Sequence, residues 1–160
     1  MAGYGVFAQV YDKLTLNVPY DQIAEYYDAK IRKFRDGDGN FLADAGCGTG
    51  NLTARLARLG YDVIGAEPSP DMLSEAMNKP HDGVQYICQD MTELDLYGEA
   101  DIIVSTLDSV NHLSSAADIT KFFRAAALNL RRGGLLLFDF NTIYKLSLIH
   151  ISEPTRPRLI

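Results

Sequence analysis

The stretch Asp44-Ala45-Gly46-Cys47-Gly48-Thr49-Gly50 carries the densest chemical signal in the chain. Glycines on alternate positions let a backbone approach a ligand closely, and here a carboxylate stands two places before the first of them. The dinucleotide fingerprint G-x-G-x-x-G needs a glycine at position 51, where this chain has Asn51. A carboxylate beside such a turn suits an ammonium or sulfonium charge better than a pyrophosphate. Glu67 follows 21 residues after Gly46, and a carboxylate at that distance can accept hydrogen bonds from two ribose hydroxyls. Asp90 is a third acid: its carboxylate can accept from an adenine amino group while a backbone N–H beside it, at Met91, meets a ring nitrogen. Together the three describe one adenosine-sized ligand with a cationic end.

These residues need elements to hold them. Phe7, Val10, Tyr11 and Leu14 recur at helical spacing, and Pro19 ends that segment. A second helix is predicted from about Tyr20 to Phe34, with Ile23, Tyr27, Ile31 and Phe34 on one face, and it stops at the turn-rich Asp36-Gly37-Asp38-Gly39-Asn40. From there strands and helices alternate. Strands are predicted at Phe41–Ala45, Tyr61–Ala66, Val84–Cys88, Asp101–Ser105 and Gly134–Phe140. Between them run a helix with Leu52, Leu56 and Leu59, a helix capped by Ser69 with Pro70 in its first turn, and a helix from Ala116 to Arg131. That last helix should turn Ile119, Phe122, Phe123, Ala126 and Leu130 inward. Cys88 should lie in the core, and Cys47 should pack rather than react. Continuous apolar strands alternating with helices mean an α/β fold: a parallel, doubly wound, Rossmann-like sheet in a three-layer αβα arrangement.

The motifs LADAGCGTGNL, GAEPSPDML, CQDM and DIIVSTLDSVNHL resemble those of the class I S-adenosylmethionine-dependent methyltransferases of the methyltransferase-domain type, over about residues 4 to 145. The resemblance implies S-adenosylmethionine as cofactor. Gly46, Gly48 and Gly50 would shape the loop under its methionine part, Asp44 would help position its charged end, Glu67 would hold the ribose, and Asp90 and Met91 the adenine. The opening YGVFAQVYDKL is similar to the family's N-terminal cap, which makes Tyr4 and Tyr11 candidates for closing over the cofactor. The loop after the fourth strand offers Asp108, Asn111 and His112 as candidates to orient or deprotonate an acceptor. His112 is the weak favourite, because imidazole exchanges protons most readily near neutral pH. The transfer itself is an in-line displacement from an activated leaving group, so a base is optional.

Alternatives remain open on the sequence: a non-catalytic sensor or partner subunit binding S-adenosylmethionine or S-adenosylhomocysteine, and, disfavoured by Asn51, an NAD-dependent oxidoreductase. The loop lacks both the Pro-Pro-aromatic motif of amino-directed DNA methyltransferases and the Pro-Cys of cytosine enzymes. With 15 basic against 21 acidic side chains, the net charge of −6 also disfavours nucleic acid. The acceptor is therefore expected to be a small molecule, or a protein. Two cysteines far apart suggest neither a disulfide framework nor a zinc site, no metal is expected, and neither a secretory signal nor a membrane span is visible, so a cytoplasmic setting is expected.

The 160 residues are expected to divide into a helical cap (1–36), a cofactor-binding core (37–145) and a tail (146–160). The tail, LSLIHISEPTRPRLI, resembles one reading frame of a transposon-based sequencing adapter over eleven consecutive residues, so it is expected to be an artefact. On that reading the chain is a fragment with five of the family's seven strands. Its fifth strand would be an unprotected edge prone to association.

Overall fold

A computed structural model describes residues 4–80 and 83–142. The 146–160 tail lies outside them, so its expected origin is not addressed by the fold. Two helices, α1 (Tyr4–Leu14) and α2 (Tyr20–Phe34), precede an alternating series. The series comprises β1 (Phe41–Ala45), α3 (Asn51–Arg58), β2 (Asp62–Ala66), α4 (Pro70–Met77), β3 (Gln85–Ile87), β4 (Ala100–Ser105), α5 (Ala116–Asn129) and β5 (Leu130–Phe138). Short 3₁₀ turns occupy Met91–Glu93 and Ser109–His112. The strands form one sheet in the order β3-β2-β1-β4-β5, and every pairing is parallel. The doubly wound arrangement is as expected.

Both faces of the sheet are covered, and the period-two alternation of the strands assigns each residue to a face. Leu42, Val63, Ile102 and Val104 pack with α2 (Ala24, Tyr27, Ile31) and α3 (Leu52, Leu56). Ala43, Ala45 and Ile103 pack on the other side with Phe122, Ala125 and Ala126 of α5 and with Met91 and Leu94. By packing, α2 thus belongs to a helical layer lying on the sheet. Ser69 caps α4 by accepting from the Met72 N–H, with Pro70 in the first turn.

Three expectations about burial are corrected. On α5 the sheet-facing residues are Phe122, Ala125, Ala126 and Asn129, while Ile119 and Phe123 are each 37% exposed. Asn129 takes a core position because its amide is fully used: it donates to the Leu94 and Ala125 carbonyls and accepts from the Leu96 N–H. Leu130 belongs to β5, which begins there rather than at Gly134. Cys88 lies past the end of β3 and is exposed. Phe34, placed by periodicity on the packed face of α2, is also exposed at the helix end.

Deleting the Phe122 ring should lower stability by about 3–5 kcal/mol, the usual range for a buried aromatic. Phe123→Ala should cost less than half as much. Urea unfolding of both variants checks this, and equal losses would contradict the assignment of the inward face.

Candidate active site

The site lies beyond the carboxyl ends of β1, β2 and β4, where the strand order reverses. The turn from β1 into α3 is closed by the Gly50 N–H donating to the Cys47 carbonyl at 3.0 Å and by a buried side-chain bond, Thr53 Oγ1 donating to Asp44 Oδ2 at 2.7 Å. Asp44 is 2% exposed, and its Oδ1 has no hydrogen-bond partner among the described residues. Burial pushes its carboxyl up to about 6; the bond from Thr53 opposes the rise and the Glu67 charge adds to it.

Gly46 (φ +86°) leaves the strand in a left-handed conformation, and a Cβ there would come within 2.8 Å of Ser109 and 2.9 Å of Met91. Gly50 (φ +74°) opens α3, and a Cβ there would strike the Tyr86 hydroxyl. Both positions therefore need glycine for conformation and for space.

Glu67 follows β2 and is held from two sides. Its Oε2 accepts from the Gly48 N–H and its Oε1 from the Ser69 N–H, both at 3.1 Å. Burial pushes this carboxyl up, and the two amide bonds only partly offset that. Asp90 caps the 3₁₀ turn after β3, accepting from the N–H and hydroxyl of Thr92. Burial also pushes the Cys47 thiol well above its ordinary value, which suits packing and not nucleophilic attack.

These groups line two cavities that meet at Tyr11, Gly46, Gly48, Leu107 and Ser109. The smaller, about 50 Å³, holds Asp44, Tyr20 and Thr49. The larger, about 380 Å³, holds Glu67, Asp90, Met91 and His112. The structure thus brings Asp44, Gly46, Gly48, Glu67, Asp90, Met91, Tyr11 and His112 to one cavity system. Gly50 shapes the turn from behind. Asn111 spends its amide elsewhere, accepting from the Asn141 N–H at 2.8 Å and donating to its carbonyl at 3.5 Å. Asp108 is half-buried at the head of its 3₁₀ turn and lines neither cavity. Tyr4 begins α1, and its side chain lies outside the described residues.

Four residues escaped the sequence reading because their partners are distant. Asp139 accepts from the Leu107 and Asp108 N–H groups at 2.8 and 2.9 Å and from the Tyr27 hydroxyl at 3.1 Å. It thereby holds two successive non-glycine residues at positive φ, +55° and +68°. Ser109 Oγ bonds the Gly46 carbonyl at 3.1 Å and couples that strained loop to the glycine turn. Asp12 accepts from Thr49 and Asn51 and pairs with Lys79. No signal within any one segment marks these pairings.

A model of the methyltransferase domain matches residues 42–134, which takes in the glycine turn, β2 to β4, all of β1 but its first residue and the first half of β5. The chain belongs to the methyltransferase-domain family. Methyltransferase relatives include a putative methyltransferase, YqeM, of Bacillus subtilis, 35% identical over 90% of this chain and 58% of its own length. A putative methyltransferase of Geobacillus is 34% identical over 89% and 59%. Among solved methyltransferases, an S-adenosylmethionine-dependent enzyme from Clostridium acetobutylicum superposes with a TM-score of 0.75 at 33% identity, covering 91% of this chain and 61% of that one. The sugar N-methyltransferase KedS8 from Streptoalloteichus gives 0.75 at 29%, covering 82% and 53%. This chain spans about three-fifths of the length of the two curated relatives, YqeM and the Geobacillus protein.

Asp44 sets a pH dependence with a definite sign. Its folded value near 6 exceeds the ordinary 3.8, so the native state holds the extra proton between those values. Its contribution is therefore full below about pH 4 and is lost as pH rises to about 6. Asp44→Asn should remove that slope and be the more stable form above pH 6, by on the order of 3 kcal/mol. Urea unfolding from pH 4 to 8 checks this, and an identical slope in both proteins would contradict it.

Proposed function

We propose that the chain binds S-adenosylmethionine in the joined cavities and serves methyl transfer to a small-molecule acceptor. The observation that carries this reading is Asp44. A buried carboxylate with one oxygen unpartnered, facing a small cavity beside a glycine turn, is complete only with a cationic group next to it. The larger cavity, with Glu67 and Asp90 on its wall, has the size and acceptors for a nucleoside. A solved relative, CalS10, is an amino pentose methyltransferase described with S-adenosylmethionine bound, 28% identical with a TM-score of 0.75, and supports both cofactor and acceptor class.

When bound, the cofactor supplies a sulfonium methyl group with a good leaving group already in place. The residues of this chain bind, orient and exclude water. Asp44 faces the cationic end, and the amide-clamped Glu67 offers its remaining lone pairs to the ribose hydroxyls. Asp90 and Met91 bound the base, and Gly46 and Gly48 let the backbone close on the methionine part. Tyr11 and Leu107, shared by the two cavities, form the wall beside the reacting centre. Catalysis on this plan comes from alignment in a site closed to solvent.

Of the three acceptor-loop candidates, His112 is the one that lines either of these two cavities, and it does so with Glu67 and Asp90. Its imidazole is accordingly assigned to the nucleoside side, with Asp108 and Asn111 building the loop.

Calorimetric titration separates the readings. S-adenosylmethionine should bind, NAD should not, and Glu67→Ala should weaken binding by at least about tenfold, the scale of two lost hydrogen bonds to a charged group. His112→Ala should also weaken it, by a smaller factor. Binding of NAD in preference, or unchanged affinity in Glu67→Ala, would overturn the assignment.

A further inference from the structure

Helix α1 packs beside α4 and next to the glycine turn. Among its described side chains Ala8 is buried and Leu14 is largely exposed. A polar network centred on Asp12 ties the helix to the glycine turn and to the end of α4. Asp12 Oδ1 accepts from Thr49 Oγ1 at 2.7 Å and from Asn51 Nδ2 at 2.8 Å, gripping both residues that flank Gly50. Its other oxygen pairs with Lys79, just past the end of α4. Lys79 Nζ also donates to the Thr49 carbonyl at 2.8 Å and to Asn51 Oδ1 at 3.3 Å. Burial pushes the Asp12 carboxyl up, but the bonds from Lys79, Thr49 and Asn51 outweigh it and hold the group below the usual carboxylate range.

The network thus joins three elements at one point: the cap helix, the glycine turn and the end of α4. The residue before Asp12 is Tyr11, which lines both ligand cavities. The Lys79 and Asp12 side chains are 26% and 36% exposed, so water and salt reach the pair. An element held by half-exposed polar bonds opens at low free-energy cost compared with one held by a core.

We propose that Asp12 and Lys79 are positioning residues that latch α1 onto the glycine turn and so hold Tyr11 over the cofactor, making the latch a determinant of how tightly the cofactor is retained. The proposal rests on the cofactor reading above. It adds that closure of the cap is ionic and sensitive to salt, and that the turn under the methionine part and the helix above it move as one unit.

The test uses S-adenosylhomocysteine as probe on the full chain, with calorimetry for affinity and hydrogen–deuterium exchange for the state of α1. Lys79→Met should weaken binding about tenfold, Lys79→Arg should recover most of that, and the affinity of the unmodified chain should fall with added salt more steeply than that of Lys79→Met. Without ligand, α1 amides should exchange faster in Lys79→Met while those of β1 and β4 keep their protection. Asp12→Asn, which keeps the acceptor for Thr49 and loses the charge, should behave as a milder Lys79→Met. Unchanged affinity and unchanged α1 exchange would overturn the latch. So would loss of protection in β1 and β4 together with α1, because the pair would then be part of the folding core. An unmodified chain that does not bind S-adenosylhomocysteine would overturn the cofactor reading, and the exchange comparison would then decide the latch by itself.

Discussion

A carboxylate buried at the end of a central strand, with one oxygen bonded and one without a partner among the described residues, sets the terms for everything around it. Asp44 can be there because Thr53, in the first turn of α3, donates to it and closes the strand–turn–helix unit. The cost of burying it appears as a carboxyl pushed up to about 6. On the proposed reading, a cation in the adjoining cavity would remove that cost, so that a residue that weakens the empty fold would become the selective feature of the occupied one. The parallel register then carries the constraint outward: β1 aligned with β2 and β4 sets Glu67 and the loop from Thr106 to His112 on either side of the glycine turn.

The two walls of the site are held differently. The loop after β4 is strained and locked, with Leu107 and Asp108 at positive φ held by Asp139 and the Tyr27 hydroxyl. Ser109 couples it to Gly46, so the loop and the turn keep one geometry. The opposite wall, α1, is held by charge at a half-exposed point. On the proposed reading, a locked floor with a cover latched by charge would suit a ligand that must enter, be aligned and leave.

Local chemistry made much of this legible in the sequence. Pro19 and the Asp-Gly-Asp-Gly-Asn turn bound α2 at Tyr20 and Phe34, the limits the structure has. The break from helical to apolar-run spacing at Phe41 announced the sheet, and the glycines with Asp44, Glu67 and Asp90 marked the end of it where the cavities lie. Non-local contacts escaped. Periodicity counted Phe123 and Ile119 as inward because it scores apolar residues, whereas the sheet-facing stripe of α5 includes Asn129, whose partners come from the 94–96 segment. Likewise Asp12 and Lys79 are 67 positions apart and carry no shared pattern. Asn111 read as an acceptor-loop residue, and its partner Asn141 becomes visible only once β5 lies beside β4.

The central claim is that Asp44 holds a proton in the empty site and gives it up to a cation. Titration of S-adenosylmethionine at about pH 6, in two buffers of different ionisation enthalpy, measures the protons exchanged on binding. The account predicts proton release by the unmodified chain and a release smaller by about half a proton in Asp44→Asn, since near its own pKa the group is half protonated. Equal exchange in the two proteins would contradict it.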